Sequence, residues 1–406
     1  TAEDSKCIMV WGANPSACAP HAHSHWLPEA PCPVVVVDPV RHATAEAADL
    51  HLQLFPGSDA ALAFAIMHVL RREGLIDRDF LAANCIGWDE LEPTLEACTP
   101  EWGAAETGVP AADIVRAAEL YGAGPALLWL GQGLQRQPMG GNIMRACAML
   151  PALCGNYAKP GAGLLYLNGA EQKGVDGDYV VASHLSNGPD PISQMDLAEY
   201  LESAENARAF LCWNINPVAS SPEQSRLMQA MTRDDLFTVV LDIFATDTTD
   251  YADYVLPAAS FLEFDDLVGG YFNMSFSAQV KAAEPIGEAL PNQEIFRRLA
   301  RAMGFTEPEL QESDADIIDT VMEGVDIAGD FAALKASGTL FPSAEAQLQF
   351  ADLNFPTPSG KIEIASAAAA ADGHPRLPGP GADARPTGGR LRLLSPATEW
   401  LLNDSY

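Results

Sequence analysis

The chain has 406 residues, which is long enough for two or three domains, each with a core of its own. Hydrophobic residues make up 48% of it, and the formal net charge of -32 argues against a basic surface for nucleic acid or for an anionic membrane. Its eight cysteines include no Cys-x-x-Cys pair, so neither a zinc ribbon nor an iron–sulfur cluster is predicted within these residues. Scattered thiols indicate a reducing compartment such as the cytoplasm, with the periplasm left open, and no run of about 20 apolar residues predicts insertion into a membrane.

An internal repeat is the main feature of the sequence. In each copy an apolar run leads to a Trp and an Asn-Pro pair, and a second, β-branched run ends in Asp before a Thr and an Ala-Asp pair. The first copy consists of Trp11, Asn14, Pro15, Ala17, Pro20, Val34 to Val37, Asp38, Thr44, Ala48 and Asp49. The second consists of Trp213, Asn216, Pro217, Ala219, Pro222, Thr238 to Leu241, Asp242, Thr248, Ala252 and Asp253. The pattern predicts two similar strand–loop–helix–strand units.

The acid that ends the second run of each copy has a functional interpretation. Nucleotides bind at the carboxyl edge of parallel sheets, where an acid can accept hydrogen bonds from a ribose while the first turn approaches phosphate. A duplication kept only for packing would explain the apolar runs but not the recurring Asn-Pro and Asp. We therefore expect each copy to hold a nucleotide, with Asp38 and Asp242 in equivalent positions.

The segment after the first turn, His21 to His25, alternates histidines with small residues and can be a metal site or the polar start of a helix. Further on, Leu50 to Phe55 predicts a short strand, and Ala60 to Arg72 predicts a helix capped by Ser58 or Asp59. The same helix start offers free N–H groups to a phosphate.

The following elements are helices from about 110 to 121, 141 to 153 and 292 to 303, and a buried strand from 126 to 130. The strand is followed by Gly131-Gln132-Gly133, which allows close approach of a ligand or forms only a tight turn.

Composition suggests the domain boundaries. A loop rich in Gly and Pro ends the first domain, and a stretch rich in Ala, Pro and Gly predicts a linker before a strand at 391–394. The predicted divisions are 1–163, 164–366, the linker 367–390, and 391–406.

Together these motifs resemble the large catalytic subunit of molybdopterin oxidoreductases, the group related to dimethyl sulfoxide reductase and formate dehydrogenase. The matching residues follow the family's order over nearly the whole chain, although they do not specify a substrate. They are Trp11-Gly12-Ala13-Asn14-Pro15, Val37-Asp38-Pro39 with Thr44 and Ala48-Asp49, Pro56-Gly57-Ser58-Asp59, Gly131-x-Gly133 with Gly155-Asn156, and Asp242-Ile243-Phe244 through Ala252-Asp253 to Leu256-Pro257.

The resemblance implies a fold, a cofactor and an activity. Family members hold one molybdenum or tungsten between two pterin guanine dinucleotides, which lie on two pseudo-symmetric domains. For this chain the resemblance implies an α/β fold with two doubly wound, Rossmann-like domains of parallel or mixed sheets and the start of a third, β-barrel domain. It also implies a two-electron oxidoreductase that moves an oxygen atom, a hydride or a proton on a small-molecule substrate, with an electron-transfer protein as a further partner.

Carried over by position, the resemblance also implies cofactor contacts. For one dinucleotide they are Gly12, Asn14, Asp38, Pro39, Gly57 and Asp59, with Arg41 added because many relatives have Arg directly after Asp-Pro, where this chain has Val40. For the other they are Asn214, Asn216, Asp242 and Thr246, while Gly131, Gly133 and Gln135 would face the pterin region. No catalytic residue and no metal ligand are implied within the chain. The resemblance places the metal-ligating residue and the iron–sulfur cysteines before residue 1 and the closing domain after residue 406, so we expect an internal fragment.

Two other functions remain open from the sequence. A non-catalytic electron-transfer or scaffold subunit, such as the large iron–sulfur subunit of respiratory complex I, resembles this fold but has no need for paired ribose-binding acids. A nicotinamide-dependent dehydrogenase would use Asp38 alone, but the first strand lacks a full Gly-x-Gly-x-x-Gly after it and the second copy stays unexplained.

Overall fold

The structure, a computed structural model, describes residues 2–166, 174–186, 188, 191–270, 275–325, 329–341 and 348–398. It contains two compact units. One comprises Thr1–Tyr166 and Glu345–Leu402, and the other comprises Leu167–Ala344 and Asn403–Tyr406. This division differs from the predicted boundaries at 163 and 366 because the chain returns to the first unit, where Ile362–Glu363 pairs in parallel with Cys85–Ile86.

The strands are short and rich in Val, Leu and Ile, which pack well on a pleated surface. In chain order they are β1 (Cys7–Trp11), β2 (Val34–Val37), β3 (Leu50–Leu52), β4 (Cys85–Ile86), β5 (Ala126–Leu130), β6 (Gly163–Leu165), β7 (Ala209–Trp213), β8 (Phe237–Asp242), β9 (Tyr254–Pro257), β10 (Asp266–Gly269), β11 (Phe276–Gln279), β12 (Thr339–Leu340) and β13 (Ile362–Glu363). The predicted strand from Leu50 to Phe55 is therefore present but ends at Leu52.

The helices predicted around 60–72, 110–121, 141–153 and 292–303 are all present, with ends within one residue of the prediction. In chain order the α-helices are α1 (Pro15–Cys18), α2 (Ala43–Ala47), α3 (Asp59–Arg72), α4 (Arg78–Asn84), α5 (Trp88–Leu91), α6 (Pro100–Thr107), α7 (Ala111–Gly122), α8 (Gly140–Leu153), α9 (Gly177–Val180), α10 (Leu197–Leu201), α11 (Pro217–Ser220), α12 (Gln224–Met231), α13 (Asn292–Met303), α14 (Asp314–Gly324), α15 (Phe331–Ser337) and α16 (Ala367–Ala371).

The first unit is built on a sheet in which every pair of strands is parallel, in the order β3-β2-β1-β5-β6. The chain moves outward from β1 through β2 to β3 and then starts again on the other side of β1 with β5. In open α/β sheets, ligands bind at the carboxyl ends of the strands that flank such a reversal. Trp11 and Leu130 are neighbours at the end of β1 and β5, so the turns after them meet at this point.

Both faces of this sheet are buried, as expected for parallel strands covered by helices on each side. Met9 and Trp11 of β1 belong to the core cluster that includes α3, while Ile8 and Val10 belong to a second cluster on the opposite face. Helix α3 packs against α6, α7 and α8. Gly103 permits the approach of α6, because a Cβ there would lie 2.6 Å from the Cβ of Ala65.

The second unit repeats the first half of this arrangement. Strands β7, β8 and β9 are parallel and follow one another in the order of β1, β2 and β3. Trp213 lies opposite Leu241 as Trp11 lies opposite Val37. Strands β10, β11 and β12 form a separate antiparallel sheet. The predicted α/β fold with parallel sheets is therefore confirmed, and the described residues show the duplication over three strands.

The predicted linker at 367–390 packs on the first unit. The side chain of Asn142 accepts the N–H of Gly379 at 2.8 Å and donates to its carbonyl oxygen at 2.9 Å. Composition could not reveal this contact, because the linker contributes backbone atoms rather than a pattern of side chains.

The strand predicted at 391–394 is not formed, and Leu391 is 94% exposed. No described strand pairs with residues 391–394, and residues 399–406 of the predicted final domain lie outside the described residues. In the part of the chain that the structure describes, no helix combines the length and the apolar character needed to cross a bilayer.

Candidate cofactor-binding sites

Each copy of the repeat forms a polar edge where its strands end. We call the first cradle the edge formed by Gly12, Asn14, Asp38, His42 and Thr44. The second cradle is formed by Asn214, Asn216, Asp242, Thr246 and Thr248. The members of the two cradles correspond one to one along the chain.

The turn after the first strand has the same backbone in both cradles. Gly12 has a φ of 62° and Asn214 has a φ of 57°, which lie in the left-handed region that glycine adopts freely and asparagine tolerates. Each residue donates its N–H to the carbonyl oxygen at the end of the second strand, Gly12 to Val37 at 2.9 Å and Asn214 to Leu241 at 3.4 Å. The turn is thus held against the strand that carries the acid.

A threonine hydroxyl fixes the short helix that follows each Asn-Pro pair. Thr44 Oγ1 accepts the N–H of Ser16 at 3.0 Å, and Thr248 Oγ1 accepts the N–H of Val218 at 3.2 Å. Thr248 also donates its hydroxyl to Asn216 Oδ1 at 2.6 Å. The Thr of the repeat therefore has a structural role in each unit.

The Asp of the Ala-Asp pair also has a structural role. Asp49 Oδ2 accepts the N–H of Val34 at 2.8 Å, and Asp253 Oδ2 accepts the N–H of Thr238 at 2.7 Å. Both bonds tie the end of a connecting segment to the start of the second strand. These hydrogen bonds explain why Asp49 and Asp253 recur in the repeat without a ligand.

The acids that end the second strands are placed differently. Asp38 Oδ1 accepts the N–H of Val40 at 2.8 Å, and Asp242 Oδ1 accepts the N–H of Phe244 at 3.0 Å. The side chain of Asp38 is 13% exposed. In both cradles one carboxylate oxygen holds the turn, and the other is left for a further partner.

A polar side chain lies four residues after each strand-ending acid. His42 and Thr246 each precede a short helical segment, with φ and ψ of -80° and 173° for His42 and of -91° and 168° for Thr246. The buried atoms His42 Nε2 and Thr246 Oγ1 have no hydrogen-bond partner among the described residues. Sequence reasoning named Thr246 but missed His42. The equal spacing from Asp38 and from Asp242 was the signal that could have found it.

His42 is held tightly at this position. Its Nδ1 accepts the N–H of Ala45 at 3.3 Å, and its Nε2 lies 3.7 Å from Asp38 Oδ2. The side chain is only 7% exposed. A buried imidazole nitrogen without a partner is uncommon in a folded protein and indicates a site that something else completes.

The helix after the third strand places Asp59 at its first position. Asp59 is 5% exposed, and one of its carboxylate oxygens accepts the Nε1–H of Trp11 at 2.8 Å. Burial raises the pKa of Asp59 to about 6, and the neighbouring carboxylates of Asp38 and Asp383 add to the shift. Ser58 is the N-cap residue, as one of the two predicted choices, but its hydroxyl donates to the carbonyl oxygen of Phe55 instead of accepting an N–H of the helix.

Asn292 is the counterpart of Asp59 in the second unit, because it is the first residue of α13. Its side chain donates to Asn214 Oδ1 at 3.2 Å, and its buried Oδ1 has no partner among the described residues. The ring of Phe296, one turn later, lies 5.2 Å from that of Trp213. Sequence reasoning missed Asn292 because residues 258–291 separate α13 from β9.

Gly57, expected to contact a dinucleotide, lies under a later segment of its own unit. It has a φ of 81°, and a Cβ there would overlap the carboxylate of Asp383. Asp383 donates its N–H to the Gly57 carbonyl oxygen at 3.0 Å and pairs with Arg392 at 3.2 Å. Arg392 also donates to the carbonyl oxygen of Pro56. The turn is therefore covered by residues 383–392.

The Gly-x-Gly after β5 is explained by packing of the chain on itself. A Cβ on Gly131 would overlap the Gly12 carbonyl group, and Gly133 donates its N–H to the same carbonyl oxygen at 3.3 Å. The two turns thus touch at the strand reversal. Gln135, predicted to face the pterin, is exposed and accepts a hydrogen bond from the hydroxyl of Tyr166.

Pro39 and Arg41 follow the first acid. The carbonyl oxygen of Pro39 accepts the side-chain amide of Gln53 at 2.9 Å, which holds the turn next to β3. The side chain of Arg41 is 68% exposed and lies 4.0 Å from Glu46. Arg41 extends into solvent and is not fixed by the turn.

His23 and His25 belong to a helical segment, Ala22–Trp26, and His21 is its N-cap. His23 Nδ1 contacts Thr44 Oγ1 at 3.1 Å, and the rings of His21 and His25 lie 6.4 Å apart. Within the described ranges, no group of three or more His, Cys, Asp or Glu side chains could hold a metal ion. The helical interpretation of this segment is the one that the structure supports.

The likeness between this chain and known proteins extends beyond single motifs. A family model described as molybdopterin oxidoreductase matches residues 1–302. The chain is 34% identical over 387 residues to a probable oxidoreductase, YoaE, of Bacillus subtilis, covering 92% of this chain and 56% of the relative. It is also 34% identical over 328 residues to the F420-dependent formate dehydrogenase 1 subunit alpha of Methanococcus maripaludis, covering 74% of this chain and 48% of the relative.

Among solved structures, acetylene hydratase from Pelobacter acetylenicus matches with a TM-score of 0.74 at 22% identity, covering 93% of this chain and 58% of that chain. This likeness concerns the fold. The chain spans about half the length of the curated relatives named above, 56% of one and 48% of the other. Because the family model covers well over half of the 406 residues, the chain belongs to the molybdopterin oxidoreductase family.

Proposed function

We propose that the protein is an oxidoreductase that holds molybdenum or tungsten between two pterin guanine dinucleotides, with one nucleotide at each cradle. It transfers two electrons to or from a small-molecule substrate. The observation that carries this proposal is the correspondence of the two cradles, which share the left-handed turn, the strand-ending acid and a buried polar atom four residues later. A cofactor with two similar nucleotide ends accounts for two similar cradles.

The buried atoms without partners support a ligand at the second cradle. Leaving a buried polar group unpaired costs roughly 1 to 3 kcal/mol, so such groups persist where a ligand or water completes them. Thr246 Oγ1 and Asn292 Oδ1 are both of this kind, and Asn292 is already fixed through Asn214. A guanosine offers base N–H groups and ribose hydroxyls that fit these atoms.

When bound, the molybdenum cofactor supplies the two-electron chemistry at the metal. The residues of this chain bind and orient its nucleotide ends. Asp38 and Asp242 accept hydrogen bonds with the oxygen that the turn does not use, and a carboxylate makes such bonds stronger than a neutral acceptor does. The left-handed turns at Gly12 and Asn214 allow the backbone to approach the ligand closely.

We also propose that a separate protein exchanges electrons with this one. The formate dehydrogenase relative is named as an alpha subunit, which supports an assembly with further subunits. The substrate is proposed only as a class, a small molecule that gains or loses an oxygen atom, a hydride or a proton.

Metal analysis combined with a dye-linked assay tests the proposal. Full-length protein produced with molybdate and tungstate present is expected to contain one of the two metals and to couple a small substrate, beginning with formate, to a viologen dye. Protein that contains neither metal contradicts the proposal and supports the scaffold alternative. Protein that contains the metal but exchanges no electrons with the reduced or oxidised dye contradicts the enzyme function.

A further inference from the structure

We infer that His42 contacts the nucleotide of the first cradle, and that His42 Nε2–H and Asp38 Oδ2 together hold one ribose hydroxyl. This inference rests on the proposed function and adds His42 as a residue that recognises the sugar together with Asp38. Its basis is the juxtaposition of the buried donor His42 Nε2 and the acceptor Asp38 Oδ2, which lie 3.7 Å apart without a direct hydrogen bond.

The hydrogen bond on the other side of the ring fixes the proton of His42. Because Nδ1 accepts the N–H of Ala45 at 3.3 Å, Nδ1 carries no proton and the neutral ring is protonated at Nε2. Nε2 is therefore a donor. It has no hydrogen-bond partner among the described residues, and its separation of 3.7 Å from Asp38 Oδ2 is too long for a direct hydrogen bond.

A hydroxyl is the group that can bind His42 Nε2–H and Asp38 Oδ2 at the same time. A hydroxyl can accept from Nε2–H and donate to the carboxylate at the same time, whereas a base N–H only donates and a phosphate oxygen only accepts. One oxygen atom can lie about 2.8 to 3.0 Å from both atoms when they are 3.7 Å apart. A ribose presents such hydroxyls, and an acid at the end of this strand is where α/β nucleotide sites bind them.

The second cradle supports the same assignment with a different residue. Thr246 occupies the position of His42, four residues after Asp242, and its buried Oγ1 also has no partner among the described residues. Its hydroxyl can either donate or accept, whereas His42 can only donate through Nε2. The first cradle is therefore the more selective of the two for a hydroxyl.

The test compares two nucleotides that differ only in the sugar. The cofactor-free protein is titrated with GDP and with 2′,3′-dideoxy-GDP, in the wild type and in His42→Leu, His42→Gln and Thr246→Val. The wild type is expected to bind GDP about tenfold to a hundredfold more tightly at both sites, since the dideoxy sugar leaves the buried groups unpaired. His42→Leu should lose this preference at one site and Thr246→Val at the other.

His42→Gln is the conservative variant, because its amide keeps an N–H donor where leucine has none. It should retain a preference for GDP at both sites. The inference is overturned if His42→Leu keeps the full preference at both sites, or if His42→Gln loses it as completely as His42→Leu. A wild type that binds neither nucleotide overturns the proposed function and this inference with it, whereas a wild type that binds both equally overturns the inference alone.

Discussion

Two pairs of aspartates recur in the repeat, and their side chains serve different purposes. Asp49 and Asp253 each accept the N–H at the start of a neighbouring strand, so their contribution is to folding. Asp38 and Asp242 each use one oxygen to hold the next turn and keep the other at the carboxyl edge of the sheet. Their positions in the sequence distinguish the two pairs, because Asp38 and Asp242 end β-branched runs whereas Asp49 and Asp253 follow Ala, but the hydrogen bonds that explain Asp49 and Asp253 are defined only in the folded chain.

Replacing Asp38 or Asp242 with alanine is expected to lower the guanine nucleotide retained by the purified protein. Removal of the acceptor leaves a ligand donor unpaired, which costs roughly 1 to 3 kcal/mol, or about one to two orders of magnitude in affinity. Nucleotide released by acid hydrolysis is measured per chain, and circular dichroism checks the fold. Asp113→Ala, on α7 and outside both cradles, is the matched control. Unchanged retention in both cradle variants, or an equal loss in the control, would show that the duplication is structural only.

Asp59 should make the stability of the first unit depend on pH. Its pKa is raised from 3.8 to about 6 in the folded chain, so the folded state binds the proton more tightly than the unfolded state does. The free energy of unfolding therefore falls as the pH rises through this window, by about 3 kcal/mol at most from this group. Asp59→Asn removes the ionisation and keeps an oxygen that can accept the Nε1–H of Trp11.

Urea unfolding of the cofactor-free protein measures this effect. The stability of Asp59→Asn relative to wild type is expected to increase between about pH 3.8 and about pH 6 and to change little above that range. Asp113→Asn, which removes a carboxylate and leaves Asp59 in place, is the control. A difference between Asp59→Asn and wild type that is the same at every pH would show that Asp59 ionises normally in the folded chain.

At the level of elements, local sequence patterns were sufficient to predict helices and strands where the chain is regular. The periodicity of α13 gave its ends, and the repeated motif gave β1, β2, β7 and β8. His42 was missed because a single histidine carries no signal until its spacing from Asp38 is compared with that of Thr246 from Asp242. Asn292 was missed for another reason, since residues 258–291 remove any fixed spacing between the third strand and the next helix.

The contact between the turns after β1 and β5 predicts that alanine substitutions at two glycines will have very different effects on stability. Gly131→Ala should destabilise the first unit by several kcal/mol, because its Cβ would overlap the Gly12 carbonyl group and the backbone must shift. Gly141→Ala is the matched control, since nothing lies within 4 Å of its Cβ and alanine favours a helix by up to about 1 kcal/mol. Midpoints of urea unfolding compare the two variants. Equal stability would mean that the turns do not touch.

At the scale of the whole molecule, the sequence predicted an α/β chain with two similar halves, and the structure adds that the described residues 348–398 return to the first unit. This return covers Gly57 with Asp383, a contact between distant parts of the chain that no local pattern can indicate. The duplication itself was visible because each cradle is built from local residues on consecutive strands. Contacts between distant segments, by contrast, depend on packing that only the folded chain defines.

The central claim is that the two cradles hold the two nucleotide ends of one metal cofactor. The most direct measurement is the ratio of guanine to metal in the protein as purified, with guanine quantified after acid hydrolysis and molybdenum and tungsten by mass spectrometry. Two matched cradles predict two guanines for each metal atom, in the wild type and in the Asp113→Ala control. A ratio of one guanine or fewer to each metal atom would contradict the claim.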